Sequence, residues 1–116
     1  MASERKTRIM YIERKEENLN GPARIGRVVY SNSGLSVSYK DRVFRKVRDY
    51  KANFIDTDTR EMYWISGPHR DGRDRLYESN LPIEIDEDVR EEYWTEIRKK
   101  PELKAKSTTT GGKRRD

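Results

Sequence analysis

Few residues in this chain are of types that do chemistry. The single histidine, His69, stands in the polar stretch GPHRDGRD, where Asp71 or Asp74 could orient it as a general base. Nothing beside it supplies a nucleophile, so it reads as one polar residue of a polar loop. With no cysteine, the chain offers no thiolate zinc site, no cysteine nucleophile and no disulfide framework. One histidine leaves little for an imidazole metal site or a Ser-His-Asp triad. The phosphate-cradling patterns G-x-x-x-x-G-K-[ST] and G-x-G-x-x-G are absent, as is any N-x-[ST] acceptor. Asp86, Glu87, Asp88, Glu91, Glu92 and Glu96 are numerous enough for a cation, but the spacing of a calcium loop is missing. They read better as the solvated face of a helix. The expectation is therefore a protein that is not an enzyme and uses no cofactor or metal.

Basic and aromatic residues are the better lead. If two short hairpins pair as their turns suggest, Arg27, Ser38 and Val43 form one row on the outer face of a sheet. Val29, Ser36 and Arg45 form the next row, with Lys40 close by. Arginines flanked by hydroxyls on a sheet suit phosphate oxygens, and small β-barrels present such faces to nucleic acid. Nucleic acid is thus the first partner expected. A second reading uses the pair Tyr63-Trp64: strand neighbours point to opposite faces, so one ring is core and the outward one either sits in a second small cluster or anchors a protein partner. The acidic helix is an alternative protein contact.

These residues sit on elements that the sequence marks out by period and punctuation. The strands expected are Arg8–Glu13, Arg24–Tyr30, Leu35–Tyr39, a strand from Arg42 through Phe44, Asn53–Ile55 and Met62–Ile65. LSVSY alternates, placing Leu35, Val37 and Tyr39 on one face. Pairing Tyr30 with Leu35, and Tyr39 with Arg42, puts Val28, Val37 and Phe44 in one apolar row. Asp71-Gly72 signals a further hairpin returning through Arg75. The period then changes: Val89, Tyr93 and Ile97 recur on a helical stripe widened by Trp94, with Asp86 as N-cap, Glu87 and Asp88 in the first turn and Pro101 as stop. The architecture expected is α+β and mostly β. An antiparallel meander of five or six strands, either an SH3-like barrel or an open sheet, is covered by one C-terminal α-helix near 87–99.

Composition bounds the remainder. The chain has 116 residues, 41% charged and 32% hydrophobic, with net charge +5. Mean hydropathy is −1.19. No apolar run approaches the roughly 18 residues a membrane helix needs, and MASERKTRIM has no apolar core of a secretory signal. A cytoplasmic protein with no membrane association is expected. Charge is segregated: residues 81–98 carry −5 and residues 99–116 carry +5. Residues 1–7 and the basic tail 101–116 lack the apolar content to offset ordering entropy, so both are expected to be disordered around a domain of residues 8–100.

The segments GPARIGRV (21–28), EMYWISG (61–67) and EIDEDVREEYWTEIR (84–98) resemble those of a widespread family of short bacterial proteins of unknown function. The resemblance spans residues 8–100 and implies a bacterial cytosolic origin; it brings no activity with it.

Overall fold

The computed structural model describes residues 6–15 and 20–114. Six strands close into an antiparallel barrel: β1 (Thr7–Arg14), β2 (Ala23–Tyr30), β3 (Ser36–Tyr39), β4 (Arg42–Lys46), β5 (Phe54–Asp56) and β6 (Met62–Ser66). Each pairs with the next in chain order, and β1 pairs with both β2 and β6, which closes the ring. Of the two architectures expected, the chain adopts the closed, SH3-like one with a short C-terminal helix.

β1 is the pivot. Its apolar run Ile9–Ile12 is buried on both faces, which explains why it does not alternate with polar residues as a half-solvated strand would. Met10 and Ile12 join Val28, Val37, Tyr39, Phe44, Phe54, Tyr63 and Ile65 inside the barrel. Ile9 and Tyr11 point outward into a second core with Ile25, Ile83, Ile85, Val89, Tyr93 and Trp94. That outer core seats the helix. Residues 87–97 wind as a 3₁₀ turn (Glu87–Val89), an α turn (Arg90–Glu92) and a π turn (Tyr93–Ile97). The Thr95 hydroxyl donates to the Glu91 carbonyl at 2.8 Å, a back-bond that loosens and bends a helix. The widened turn carries Tyr93 and Trp94, both buried although adjacent.

Several expectations are corrected. Tyr30 pairs with Val37, two residues beyond the expected partner Leu35. The four-residue turn is moved along by one, to Asn32–Leu35, because Ser31 N–H bonds the Ser36 carbonyl. A slip of two preserves the face, so Val28, Val37 and Phe44 are buried as expected. Tyr39 opposite Arg42 and Val37 opposite Phe44 match the reading of the second hairpin.

The turn at Asp71-Gly72 forms, with Gly72 N–H on the His69 carbonyl, but no hairpin follows. Arg75 instead makes a single bridge to Lys113. Ile83 and Ile85 are more than a lead-in to the helix: β7 (Ile83–Ile85) lies parallel to the first half of β2. Asp86 stands at the N-cap position, yet its side chain makes no cap bond.

The tail is not loose as far as Arg114. A 3₁₀ turn at Pro101–Leu103 leads to β8 (Thr108–Thr109), which pairs antiparallel with β7. Backbone bonds, rather than apolar burial, hold it: Ile85 N–H to the Ser107 carbonyl at 2.8 Å and Arg114 N–H to the Arg75 carbonyl at 2.7 Å. At the other end, Lys6 accepts from Tyr30 N–H and Thr7 opens β1. Disorder of residues 1–5, 115 and 116 lies outside the described residues. Among the described residues no helix is long and apolar enough to cross a membrane.

Candidate functional site

The barrel has two mouths, and the charged residues divide between them. At the first, where β3 turns into β4 and β5 into β6, two carboxylates are buried and each holds cations. Asp86 accepts the Tyr39 hydroxyl and, at 2.8 Å, Arg24 Nε. Arg24 Nη1 reaches Glu84 at 2.6 Å, and Lys40 Nζ stands 3.7 Å from Asp86. Burial pushes the Tyr39 hydroxyl up, and the Asp86 carboxylate beside it pushes the same way. Burial alone would lower Arg24, but its bonds to Asp86 prevail and leave it raised.

Asp56 takes Arg42 Nη1 at 2.6 Å together with the N–H groups of Asp58 and Thr59. Burial would raise its carboxyl, but these donors hold it below its ordinary value. Arg14 pairs with Glu61 at 3.5 Å. Arg14, Arg24, Lys40 and Arg42 each stand within 4 Å of a carboxylate here.

The opposite mouth is different. Along its rim β1 begins, β2 turns into β3 and β4 ends. Register brings Lys6 beside Tyr30, Ser31 beside Ser36, and Ser36 opposite Arg45. Lys46 N–H bonds the Leu35 carbonyl on the same rim. A cavity of about 430 Å³ opens here, lined by Lys6, Arg8, Tyr30 and the loop Ser31–Gly34. The loop is set by its own hydroxyls: Ser31 Oγ accepts from Ser36 N–H and Ser33 Oγ from Leu35 N–H, with Gly34 at φ +75°. Among the described residues no carboxylate forms an ion pair with Lys6, Arg8, Arg45, Lys46 or Arg48. All five are exposed.

The structure therefore keeps part of the expected sheet face together and separates the rest. Ser36 and Ser38 are half-buried neighbours of exposed Arg45 and Val43. Arg27 is not in their row. The two-residue slip leaves it beside Ile9 on β1, and it binds Glu92 of the helix at 2.6 Å. Lys40 lies at the other mouth, at φ +54°.

Neither member of the aromatic pair is a free anchor. Tyr63 is inside the barrel, tilted against Phe44 at 4.5 Å. Trp64 faces out but packs with Ile97 and Leu103 against the outer core, with Arg114 of the tail 5.6 Å over its ring.

Sequence reasoning missed a buried polar cluster beneath the tail. Glu13 is fully buried and takes Tyr11 OH at 2.6 Å, Lys15 Nζ at 3.0 Å, Gly21 N–H at 3.2 Å and Arg75 at 3.4 Å. Burial drives Tyr11 up and Lys15 down. Arg75 also donates to the Gly21 and Leu81 carbonyls. Asp74 accepts both the backbone N–H of His69, at 2.7 Å, and its ring. One signal was available: Glu13 follows Ile9 and Tyr11 on the face that β1 buries, so a carboxylate there requires partners.

Compared with protein-family models, with curated proteins and with solved structures, the chain matches none.

Proposed function

We propose that this protein is a non-enzymatic nucleic-acid-binding module of the bacterial cytoplasm, and that it holds a single strand along the Lys6 mouth. The supporting observation is the division of charge: Arg14, Arg24, Lys40 and Arg42 at one mouth each face a carboxylate, and Lys6, Arg8, Arg45, Lys46 and Arg48 at the other do not among the described residues. A paired cation adds less net field toward a polyanion, whereas an exposed cation without a partner attracts phosphate and releases counterions when it binds. Lys6, Ser31, Ser36 and Arg45 occupy four successive strand ends. At about 4.8 Å per strand the rim spans roughly 14 Å, a chain of phosphates rather than a single ion. Hydroxyls of Ser31 and Ser33 and the edge of Tyr30 stand between the cations, as positioning contacts to sugar and phosphate require. The bacterial cytoplasmic setting is carried by the motif resemblance alone.

The test is fluorescence anisotropy of a labelled single strand across a salt series. Lys6→Gln, Arg45→Gln and Lys46→Gln each weaken binding, and each reduces the log-log salt slope by about 0.7. Arg27→Gln, which removes a cation already bound to Glu92, leaves both unchanged. Affinity indifferent to the three rim substitutions, or to salt, refutes the proposal.

A further inference from the structure

The opposite mouth, which the nucleic-acid proposal does not use, encloses a pocket of about 300 Å³ walled by Tyr39, Phe44 and Tyr63 and rimmed by Arg24, Lys40 and Arg42. We propose that it is a separate binding site for a small planar organic anion, an aromatic carboxylate of one ring.

The volume lies at the lower end of ligand sites, which limits the ring count. The walls are set before any ligand arrives: Asp86 fixes the Tyr39 hydroxyl, and Tyr63 leans on Phe44 at 58°. The carboxylates that hold the rim do not exhaust it. Arg42 gives only Nη1 to Asp56, and Arg24 gives Nε to Asp86 and Nη1 to Glu84. Nε and Nη2 of Arg42 remain, two donors on one edge of the guanidinium in the fork geometry that suits a carboxylate. The Lys40 ammonium reaches Asp86 only at 3.7 Å, beyond hydrogen-bond distance, and lies 5.4 Å over the Tyr39 ring at the pocket's edge.

Lys40 also adopts a left-handed backbone, at φ +54°, that costs a side chain energy glycine or asparagine would save.

The experiment uses the full chain and follows backbone amide shifts as sodium benzoate is added. Saturable shifts are expected at residues Lys40 to Phe44 and at Tyr63, with none at Ser31 to Gly34. Benzamide, equal in shape but neutral, produces no such shifts. Lys40→Asn relieves the strained turn and removes the cation; it is expected to keep or raise the unfolding midpoint while weakening benzoate about tenfold, the weight of one charge-assisted hydrogen bond. The proposal is overturned by any of four results: no saturable shift at millimolar benzoate, equal binding of benzamide, undiminished affinity in Lys40→Asn, or binding of inorganic phosphate but not benzoate. None of these bears on the Lys6 mouth, whose readout is the oligonucleotide.

Discussion

The Tyr39 hydroxyl donates to the buried carboxylate of Asp86, tying the end of β3 inside the barrel to the residue that starts the C-terminal helix. This contact diverts Asp86 from capping. Its backbone carbonyl receives Val89 N–H, while its side chain serves Tyr39 and Arg24 instead of the orphan amides of the first turn. Barrel and helix are thereby locked through one carboxylate.

That lock needs the missing side chain at Gly26. A Cβ there would stand 2.5 Å from Tyr39 Cε1 and 2.6 Å from Asp86 Oδ2. Neither atom is the end of a free side chain, since both residues are buried and bonded to one another. Gly26→Ala is expected to cost about 1–3 kcal/mol by overpacking, measured as a lower urea midpoint. The cost should shrink in a Tyr39→Leu background, where the ring is gone. A cost unchanged in that background would place the strain elsewhere.

A second prediction concerns Glu13 and Arg75, both fully buried and 3.4 Å apart. Arg75→Met leaves the Glu13 charge with less compensation and strips the Gly21 and Leu81 carbonyls of a donor. A loss of about 3–5 kcal/mol is expected in denaturant melts. Glu13→Gln also takes the carboxylate from Lys15, so a double-mutant cycle should show a coupling between Glu13 and Arg75 rather than simple rescue. Strict additivity of the two substitutions would mean that they do not act as a pair.

What was legible in the sequence follows from how local each signal is. The β3–β4 hairpin was placed with its true register because a tight turn and strict alternation fix it within a dozen residues. The β2–β3 register differs by two from the expected one because either placement of the four-residue turn keeps Val28 and Val37 on the inner face, so the apolar pattern cannot choose between them. Closure of β1 on β6, the parallel pairing of β7 on β2 and the partner of Arg27 all join residues distant in the chain. No periodicity encodes them. The tail is not legible for a different reason: composition measures what a segment can bury, whereas residues 104–114 are held mainly by backbone hydrogen bonds to a strand edge already in place.

Asp74 makes a prediction about pH. Burial raises its carboxyl above the ordinary value, even though the His69 backbone N–H, the His69 ring and Arg98 all pull it down. The unfolded chain therefore releases this proton first, near pH 3.9. Between that point and the raised folded value, the folded state holds more protons than the unfolded one. Stability from Asp74 is thus full below the unfolded pKa and lost as pH rises through the folded one. Comparing wild type with Asp74→Asn as pH rises from about 3, the stability of wild type relative to the variant should fall with rising pH. A difference that is flat or rises would contradict the assignment.

The tail supplies the last prediction. A chain ending at Lys100 would be unharmed if residues beyond it were only a solubilising appendage. Here it loses β8, the Arg98 bond to Thr109 at 2.9 Å and the Lys106 carbonyl that accepts Trp94 Nε1 at 2.9 Å. It also uncovers Trp64, against which Leu103 and Arg114 lie. Trp94 is buried, so its indole N–H would be left without a partner, at about 1–3 kcal/mol. Re-exposing aromatic surface adds a loss of similar size. Truncation should therefore lower the urea midpoint and shift tryptophan emission to the red. Thr109→Val, which removes only one hydroxyl from Arg98, should reproduce a small part of the loss without the emission shift. If the truncated chain melts at the wild-type midpoint, β8 contributes nothing to the fold. In that case the backbone bonds that hold it would be no stronger than those it makes to water.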